Sequence, residues 1–449
     1  MNNYVSTKRP GNLQSAFNSD CKHLLTDKFT KLKKQIVSQL GRDTLNSAWN
    51  RLLKQFEIEA SIIKKLGSNS VPQIGFDELC KNEGKFSPDF EKEIRKRGCL
   101  IIKNVLGVDE ALKYKEDVKK YISNHVGEIA GFPDNNPQVW ELYWSKAQVA
   151  ARSHQNFLLA TKAVNNLWHA EPTAAIDFSY NVAYCDRLRI RQKGDTSFTL
   201  NEHIDGGSVE RWEDPEYRKC FDKILSGEWE DHDPFDASHR ISANMDLYNC
   251  SGGCSMFRTF QGFLSLSTVK PGEGTLRVCP LIKLSTAYFI MRPLLDDLID
   301  SKEMAGAIPG AQQHILPSLH PHIVNNVVSI PEVGPGDCVF WHCDMVHAVE
   351  GVCNSPDDSS ALYIPATPLC PKNVDYVVRQ RHAFIAGETP HDFPLNNCEV
   401  TFPDRATPED LTELGKLVMG WSKYDELVED EGQIGVTLAR KYANEILGL

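Results

Sequence analysis

The chain contains no run of about 18 consecutive apolar residues, so no segment reads as a membrane span. Its opening stretch, MNNYVSTKRPGNLQSAFNSD, lacks a continuous apolar core, and no secretory leader is expected. No CxxC pair occurs. The 13 cysteines are odd in number and scattered, and the single C-x3-C, Cys250 with Cys254, has no second pair to complete a zinc knuckle. They read as reduced and mostly buried, which fits a cytoplasmic protein. Positive charge is in deficit as well. Lys and Arg total 49 against 60 Asp and Glu, a net charge of -11. That argues against a nucleic-acid or anionic-membrane surface but leaves room for a local basic pocket that takes a small acid. Internal repeats and low-complexity tracts are absent too.

What is present is ordinary for a globular protein. The 449 residues are 41% hydrophobic and 24% charged, enough for one large or two modest domains. Residues 21–66 read as helix: Leu25, Phe29, Leu32, Ile36 and Leu40 recur at helical spacing, and after Gly41 so do Leu45, Trp49, Leu52 and Phe56. GSNSVPQIG (67–75) reads as a loop. DFEKEIRKRG is a helix closed by Gly98, CLIIKNV (99–105) a buried strand, and DEALKYKEDVKKYISNHV a second helix. From 176 onward short β-rich runs dominate: IDFSYNVAY, TSFTLNEHI, GFLSLSTV, GTLRVCP, DCVFWHC and SALYIPA. Turn residues separate them, which suggests an antiparallel sandwich or jelly roll rather than a parallel βαβ sheet. PEDLTELGKLVMGW and EGQIGVTLARKYANEIL return to helix.

Within the β-rich region, NEHIDGG (201–207) sets His203 and Asp205 two apart, ahead of two glycines. One reading is a pair of metal ligands. The other is a core or surface histidine followed by an Asx turn. Two ligands make a poor metal site, so a third is required from elsewhere. GPGDCVFWHCDMVHAVEG (334–351) offers His347, ten residues after Asp337, with His342 and Asp344 as competitors.

An H-x-D on an early strand with a distal histidine after a G-D turn resembles the iron(II)/2-oxoglutarate-dependent oxygenases. FEKEIRKRGCLIIKNVLGVDEALKYKEDV is similar to the opening of their phytanoyl-type branch. The motifs ELYWSKAQVAAR, DRLRIR, HIDGGSVERW, MFRTFQGF, MRPLLDD, WHCDMVH and YIPATPLCPKN, between roughly residues 90 and 400, resemble one family within that superfamily. It is the bacterial and fungal YbiU-like family, long labelled a domain of unknown function, which includes fungal aziridine-forming amino-acid oxygenases.

The resemblance implies an α+β fold with a double-stranded β-helix (jelly roll, cupin-like) core flanked by N-terminal and C-terminal helices. Residues 1–75 would be a helical extension and 76–449 the oxygenase domain, with a helical insertion near 210–240. The superfamily's usual gap of about ten from the G-D turn selects His347, so His203, Asp205 and His347 are the implied iron ligands. Two imidazoles and one carboxylate occupy one face of an octahedron, leaving positions for 2-oxoglutarate and O2. A third histidine would suit zinc better.

Many members hold the far carboxylate of 2-oxoglutarate with an arginine about a dozen residues past the distal histidine. Here AVEGVCNSPDDSSALYIPATP contains neither Arg nor Lys. A buried carboxylate needs a cationic partner, so Arg258 is the first candidate and Arg277 the second. Arg187 and Arg189 come next, or bind the substrate. Trp341 and Phe340 lie on a strand near the proposed site as candidate substrate contacts, with Tyr363 on another. The acidic stretch 210–240, carrying Trp212 and Trp229, reads either as a lid or as a surface excursion.

The implied activity is oxidation of a C–H bond of a small molecule. The first substrate guess is a free amino acid such as valine in secondary metabolism, hydroxylated or closed to an aziridine. Two other classes stand beside it: a zinc hydrolase or lyase on the same triad, and a non-catalytic metal-binding module. Oligomeric state stays open.

Overall fold

The structure, a computed structural model, describes residues 8–17, 19–426 and 434–449. Two long helices open the chain, Asp27–Leu40 and Arg42–Leu66. The second buries Leu45, Ala48, Leu52, Phe56 and Ile63, one stripe at three- and four-residue spacing. The helix Pro88–Arg97 starts at Ser87, whose hydroxyl accepts from Phe90 N, and has Pro88 in its first turn. It stops at Gly98, whose φ of 72° is left-handed. The buried strand Cys99–Lys103 follows directly.

An eight-stranded sheet runs in the order Gln73–Gly75, Cys99–Lys103, Cys338–His342, Phe260–Ser265, Asp358–Tyr363, Leu188–Gln192, Val139–Trp140, Gly131–Phe132. A five-stranded sheet runs Gln313–His314, His203–Ile204, His347–Val349, Leu276–Val278, Val328–Ser329. A third pairs Pro368–Leu369 with Asp177–Asn181. Among these ladders only Gln73–Gly75 with Cys99–Lys103 is parallel. The chain is thus mixed α+β with large antiparallel sheets.

Strand alternation sets what each face carries. On the large sheet Trp341 is paired with Gln261, Phe263 with Tyr363, and Arg189 with Val139, so these side chains share one face. On the small sheet His203 lies directly opposite His347. The next residue, Ile204, turns the other way, into a core shared with Phe29, Leu52, Phe56, Trp212, Tyr288 and Val346. The N-terminal helices therefore pack on the back of the sheet whose front carries the two histidines.

Several elements differ from the sequence reading. Gln73–Gly75, expected as loop, is a strand at a sheet edge. Of TSFTLNEHI only His203–Ile204 is strand; Phe198 packs instead in a small cluster with Val139 and Val349. Helices Lys146–Arg152, Gln155–Asn165, Ile282–Met291 and Pro371–Ala386 were not anticipated. Ile282–Met291 is buried at nine of its ten positions and carries no polar stripe from which to read a period. The expected tail is a 3-10 turn at Pro408–Asp410, a helix at Glu413–Val418 and a helix at Ile434–Leu447, with residues 431–433 outside the described residues. No helix among the described residues is long and apolar enough to cross a membrane.

Candidate metal centre

A cavity of about 130 Å³ lies between the facing sheets. Gln261, Phe263, Trp341, Tyr363 and Arg189 line it from the large sheet, and His203, Leu276, His347 and Val349 from the small one.

His203, Asp205 and His347 converge here, with one ligand atom of each within 4.8 Å of the others. The imidazole rings stand 4.2 Å apart between centroids, as expected for directly opposed residues on neighbouring strands. His203 Nδ1 lies 2.7 Å from Asn201 O and His347 Nδ1 2.9 Å from Met345 O. A carbonyl can only accept, so Nδ1 carries the proton in both rings and each Nε2 lone pair is left for a metal. Asp205 meets both: Oδ1 is 3.6 Å from His203 Nε2, and Oδ2 is 3.4 Å from His347 Nε2. Cis ligands of one ion at about 2.1 Å stand about 3 Å apart, so the group is a slight contraction from holding one.

The electrostatics favour the same state. Burial, assisted by neighbouring His347, pushes His203 down to about 4, keeping the ring neutral at pH 7. Burial alone would raise Asp205, but His347, His203 and Arg258 outweigh it and hold the carboxyl well below the usual range. With its amide oriented by its neighbours, Gln261 donates to Asp205 Oδ2 (2.6 Å) and accepts from Trp341 Nε1 (3.0 Å). Gln261 thus ties up one carboxylate oxygen and leaves Oδ1 the freer.

The glycines after Asp205 have φ of 73° and 102°, a left-handed turn disfavoured for side-chain-bearing residues. Arg211 Nη1 donates to Gly207 O (2.6 Å) and Nη2 to Asp205 O (3.1 Å), while Tyr217 OH donates to Gly206 O (2.7 Å). Sequence reasoning missed Gln261, Arg211 and Tyr217. Arg211 and Gln261 left a signal, since they sit in the HIDGGSVERW and MFRTFQGF motifs.

The competing histidine and aspartate are engaged elsewhere. His342 stacks on Trp168 with ring centroids 4.7 Å apart, donates from Nε2 to Pro234 O (2.8 Å) and accepts at Nδ1 from Asp344 N (3.0 Å). Asp344 is paired with Arg240 at 2.6 Å and Arg211 at 3.6 Å.

Of the four arginines weighed from the sequence, three line the cavity: Arg187, Arg189 and Arg258. Burial works against the charge of Arg258, but the Cys254 thiol, Asp205, Tyr184 and Asp186 outweigh it, and the guanidinium stays charged. Arg187 pairs with Asp186 at 3.1 Å and lies over the Phe393 ring. Arg189 donates to Ser359 Oγ at 3.1 Å. Arg187 Nη1 and Arg189 Nε are buried and have no hydrogen-bond partner among the described residues. Buried N–H groups left unpaired beside a cavity suit an anionic guest. Arg277 does not line the cavity; it pairs with Glu202 at 3.0 Å. Phe340 also points away from it, packing against Phe157 on the other face of its strand from Trp341.

The 210–240 excursion forms short helices at Glu210–Glu213, Pro215–Lys219 and Asp222–Leu225. None of its residues lines the cavity. Its tryptophans are anchored underneath: Trp212 Nε1 donates to Ile290 O (3.1 Å) and Trp229 Nε1 to Ala48 O (3.1 Å). It is packing against the helices, not a cover. The cover comes from Leu13, Ala16 and Phe17, with Gly252, Cys254 and Phe393 beside them.

Comparison with known proteins places this architecture among relatives. The Gig2-like family profile matches residues 23–421. The uncharacterized protein YbiU of Escherichia coli K12 is 32% identical over 405 residues, covering 87% of this chain and 95% of its own. The solved GlcNAc Inducible Gene 2 protein of Candida albicans is 31% identical, with a TM-score of 0.84 over 98% of this chain and 96% of its own. A solved Salmonella typhimurium LT2 protein described as a candidate oxidoreductase is 32% identical, with a TM-score of 0.82 over 90% of this chain and 98% of its own.

Proposed function

The chain belongs to the Gig2-like family, and from that premise we propose that it is an iron(II)- and 2-oxoglutarate-dependent oxygenase of small molecules, built on a double-stranded β-helix core. The observation that carries this reading is the convergence of two imidazole Nε2 atoms and one carboxylate on a cavity that also holds three arginines. His203, Asp205 and His347 would hold the iron, leaving adjacent positions for 2-oxoglutarate and O2. Iron there, with these two co-substrates, supplies an oxidant that removes a hydrogen atom from a substrate C–H, with succinate and carbon dioxide as the other products.

The chain's own residues do the rest. Their Nδ1–H bonds to backbone carbonyls orient the two imidazoles, and Gln261 orients the carboxylate. Arg258 is the first choice for the far carboxylate of 2-oxoglutarate, because it is charged and close enough to feel Asp205. Arg187 and Arg189, with their unpaired N–H groups, would take a substrate carboxylate. Phe263, Leu276 and Val349 form an apolar wall beside them. The substrate class is therefore a small carboxylate with an apolar body. A free amino acid such as valine is the first case to try, whether hydroxylated or closed to an aziridine in secondary metabolism. The 13 unpaired cysteines support a reducing, cytoplasmic setting.

The test requires no substrate. Iron(II) and 2-oxoglutarate are added to metal-free protein without oxygen, and the visible spectrum is recorded. A weak charge-transfer band that needs all three components is expected. Iron bound without the band, or zinc held tightly in its place, overturns the reading in favour of a hydrolase or a binding module.

A further inference from the structure

Residues 8–17 cross the mouth of the cavity. The Phe17 ring stands edge-on to His203, with centroids 4.9 Å apart and planes at 86°. Leu13 packs on the cluster of Val139, Phe198 and Val349. Among the described residues, two backbone hydrogen bonds tie this strap to the rest of the fold. Ala16 O accepts from Gln312 N (2.6 Å), and Arg9 N donates to Asn249 O (2.9 Å). At its start Lys8 is almost wholly buried, donates to Gly253 O (2.7 Å) and forms ion pairs with Asp246 and Asp392. The family match begins only at residue 23, so the strap lies outside the matched span.

The cavity, at about 130 Å³, is well above the roughly 10–15 Å³ that a single water requires. Two of its walls are hydrogen-bonded sheets. The roof, by contrast, shares two backbone hydrogen bonds with the body among the described residues, and its Leu13 and Phe17 are half-buried, features of a segment that opens more readily than a sheet.

We propose that residues 8–17 are a gate. The strap lifts to admit the substrate, Lys8 is its latch, and on closing Leu13 and Phe17 cover the substrate's apolar body and keep water from the reacting carbon. The substrate is then a small carboxylate with an apolar group at the strap side. This role rests on the oxygenase reading above; the movement itself does not.

Cys254 lines the cavity and reports access to it. The experiment measures alkylation of individual cysteines by N-ethylmaleimide in the full chain, without iron or 2-oxoglutarate. Cys254 is compared with Cys185, which is fully buried. In the double variant Leu13→Ala, Phe17→Ala, Cys254 is expected to react at least about tenfold faster than in the parent, with Cys185 unchanged. Equal Cys254 rates overturn the gate. If both cysteines speed up together, the variant has loosened globally, and the deciding measurement is hydrogen exchange at the Gln312 amide of the unmodified protein. Exchange much faster than at the Cys338–His342 amides supports a lifting strap; equal protection overturns it. Neither readout involves iron, so a missing charge-transfer band would remove the oxygenase reading and leave the gate standing, and the reverse holds too.

Discussion

His203 and His347 owe their chemistry to two backbone carbonyls, which accept hydrogen bonds from the Nδ1–H groups and turn both Nε2 atoms toward Asp205. His203→Ala, Asp205→Ala and His347→Ala are each expected to abolish iron-dependent 2-oxoglutarate turnover while far-UV circular dichroism stays that of the parent. Full turnover in any one of them removes that residue from the triad. Gln261→Leu frees Asp205 Oδ2 and should weaken iron(II) affinity by about 10–100-fold in an anaerobic titration; unchanged affinity would make Gln261 a packing residue. Arg258→Ala should weaken 2-oxoglutarate binding by about tenfold or more, the weight of one charged hydrogen bond, and iron binding little. An equal loss of both would move the carboxylate to Arg187 or Arg189. His342 supplies a pH dependence. Its ring has one acceptor and one donor already engaged, and burial pushes it down to about 4. Its folded value lies below its unfolded one. The stability it confers is therefore complete above about pH 6.5 and is lost as pH falls through about 4, up to about 3 kcal/mol. The urea midpoint of the parent should drop more between pH 7 and pH 4.5 than that of His342→Phe, and identical drops would refute the neutral ring. At this scale the sequence displayed the H-x-D and His347. It did not display the role of Gln261, which meets Asp205 only because the two sheets face each other across the cavity.

Among elements, the two N-terminal helices were the most legible, because Leu45, Leu52 and Phe56 repeat at helical spacing over several turns. Their partner was not. Phe56 meets Tyr288, with ring centroids 5.6 Å apart, on a helix apolar on every side. Phe56→Ala should destabilise the protein by about 3–5 kcal/mol, read from urea unfolding with an unchanged m-value. A loss under about 1 kcal/mol would mean that these helices are peripheral to the core. The short strand His203–Ile204 shows the limit of pattern reading. Two residues have no period, and its place is set by pairing with His347 on one side and His314 on the other. Gly206 and Gly207 were visible as a turn, and the structure adds that Arg211 and Tyr217 clamp its carbonyls.

For the whole molecule, ligand binding and stability are one quantity. Manganese(II), a redox-quiet stand-in for iron(II), should raise Tm in proportion to the logarithm of its concentration, by the equivalent of about 2.7 kcal/mol at a hundred times Kd. The rise should vanish in Asp205→Ala; a shift that persists there would place the metal elsewhere. The sequence by itself determined the α+β character, the helical ends, the acidic balance of charge and the types of residue able to hold a metal. Those follow from composition, short-range periodicity and the chemistry of single side chains. Tertiary structure alone decided that Arg258 lines the cavity while Arg277 is paired with Glu202. It also decided that the first residues of the chain, not the acidic excursion, roof the site. Each of these depends on which strands become neighbours and which face each residue takes. Alternation reverses the face with every residue, and no local stretch of sequence records the partner across the sheet.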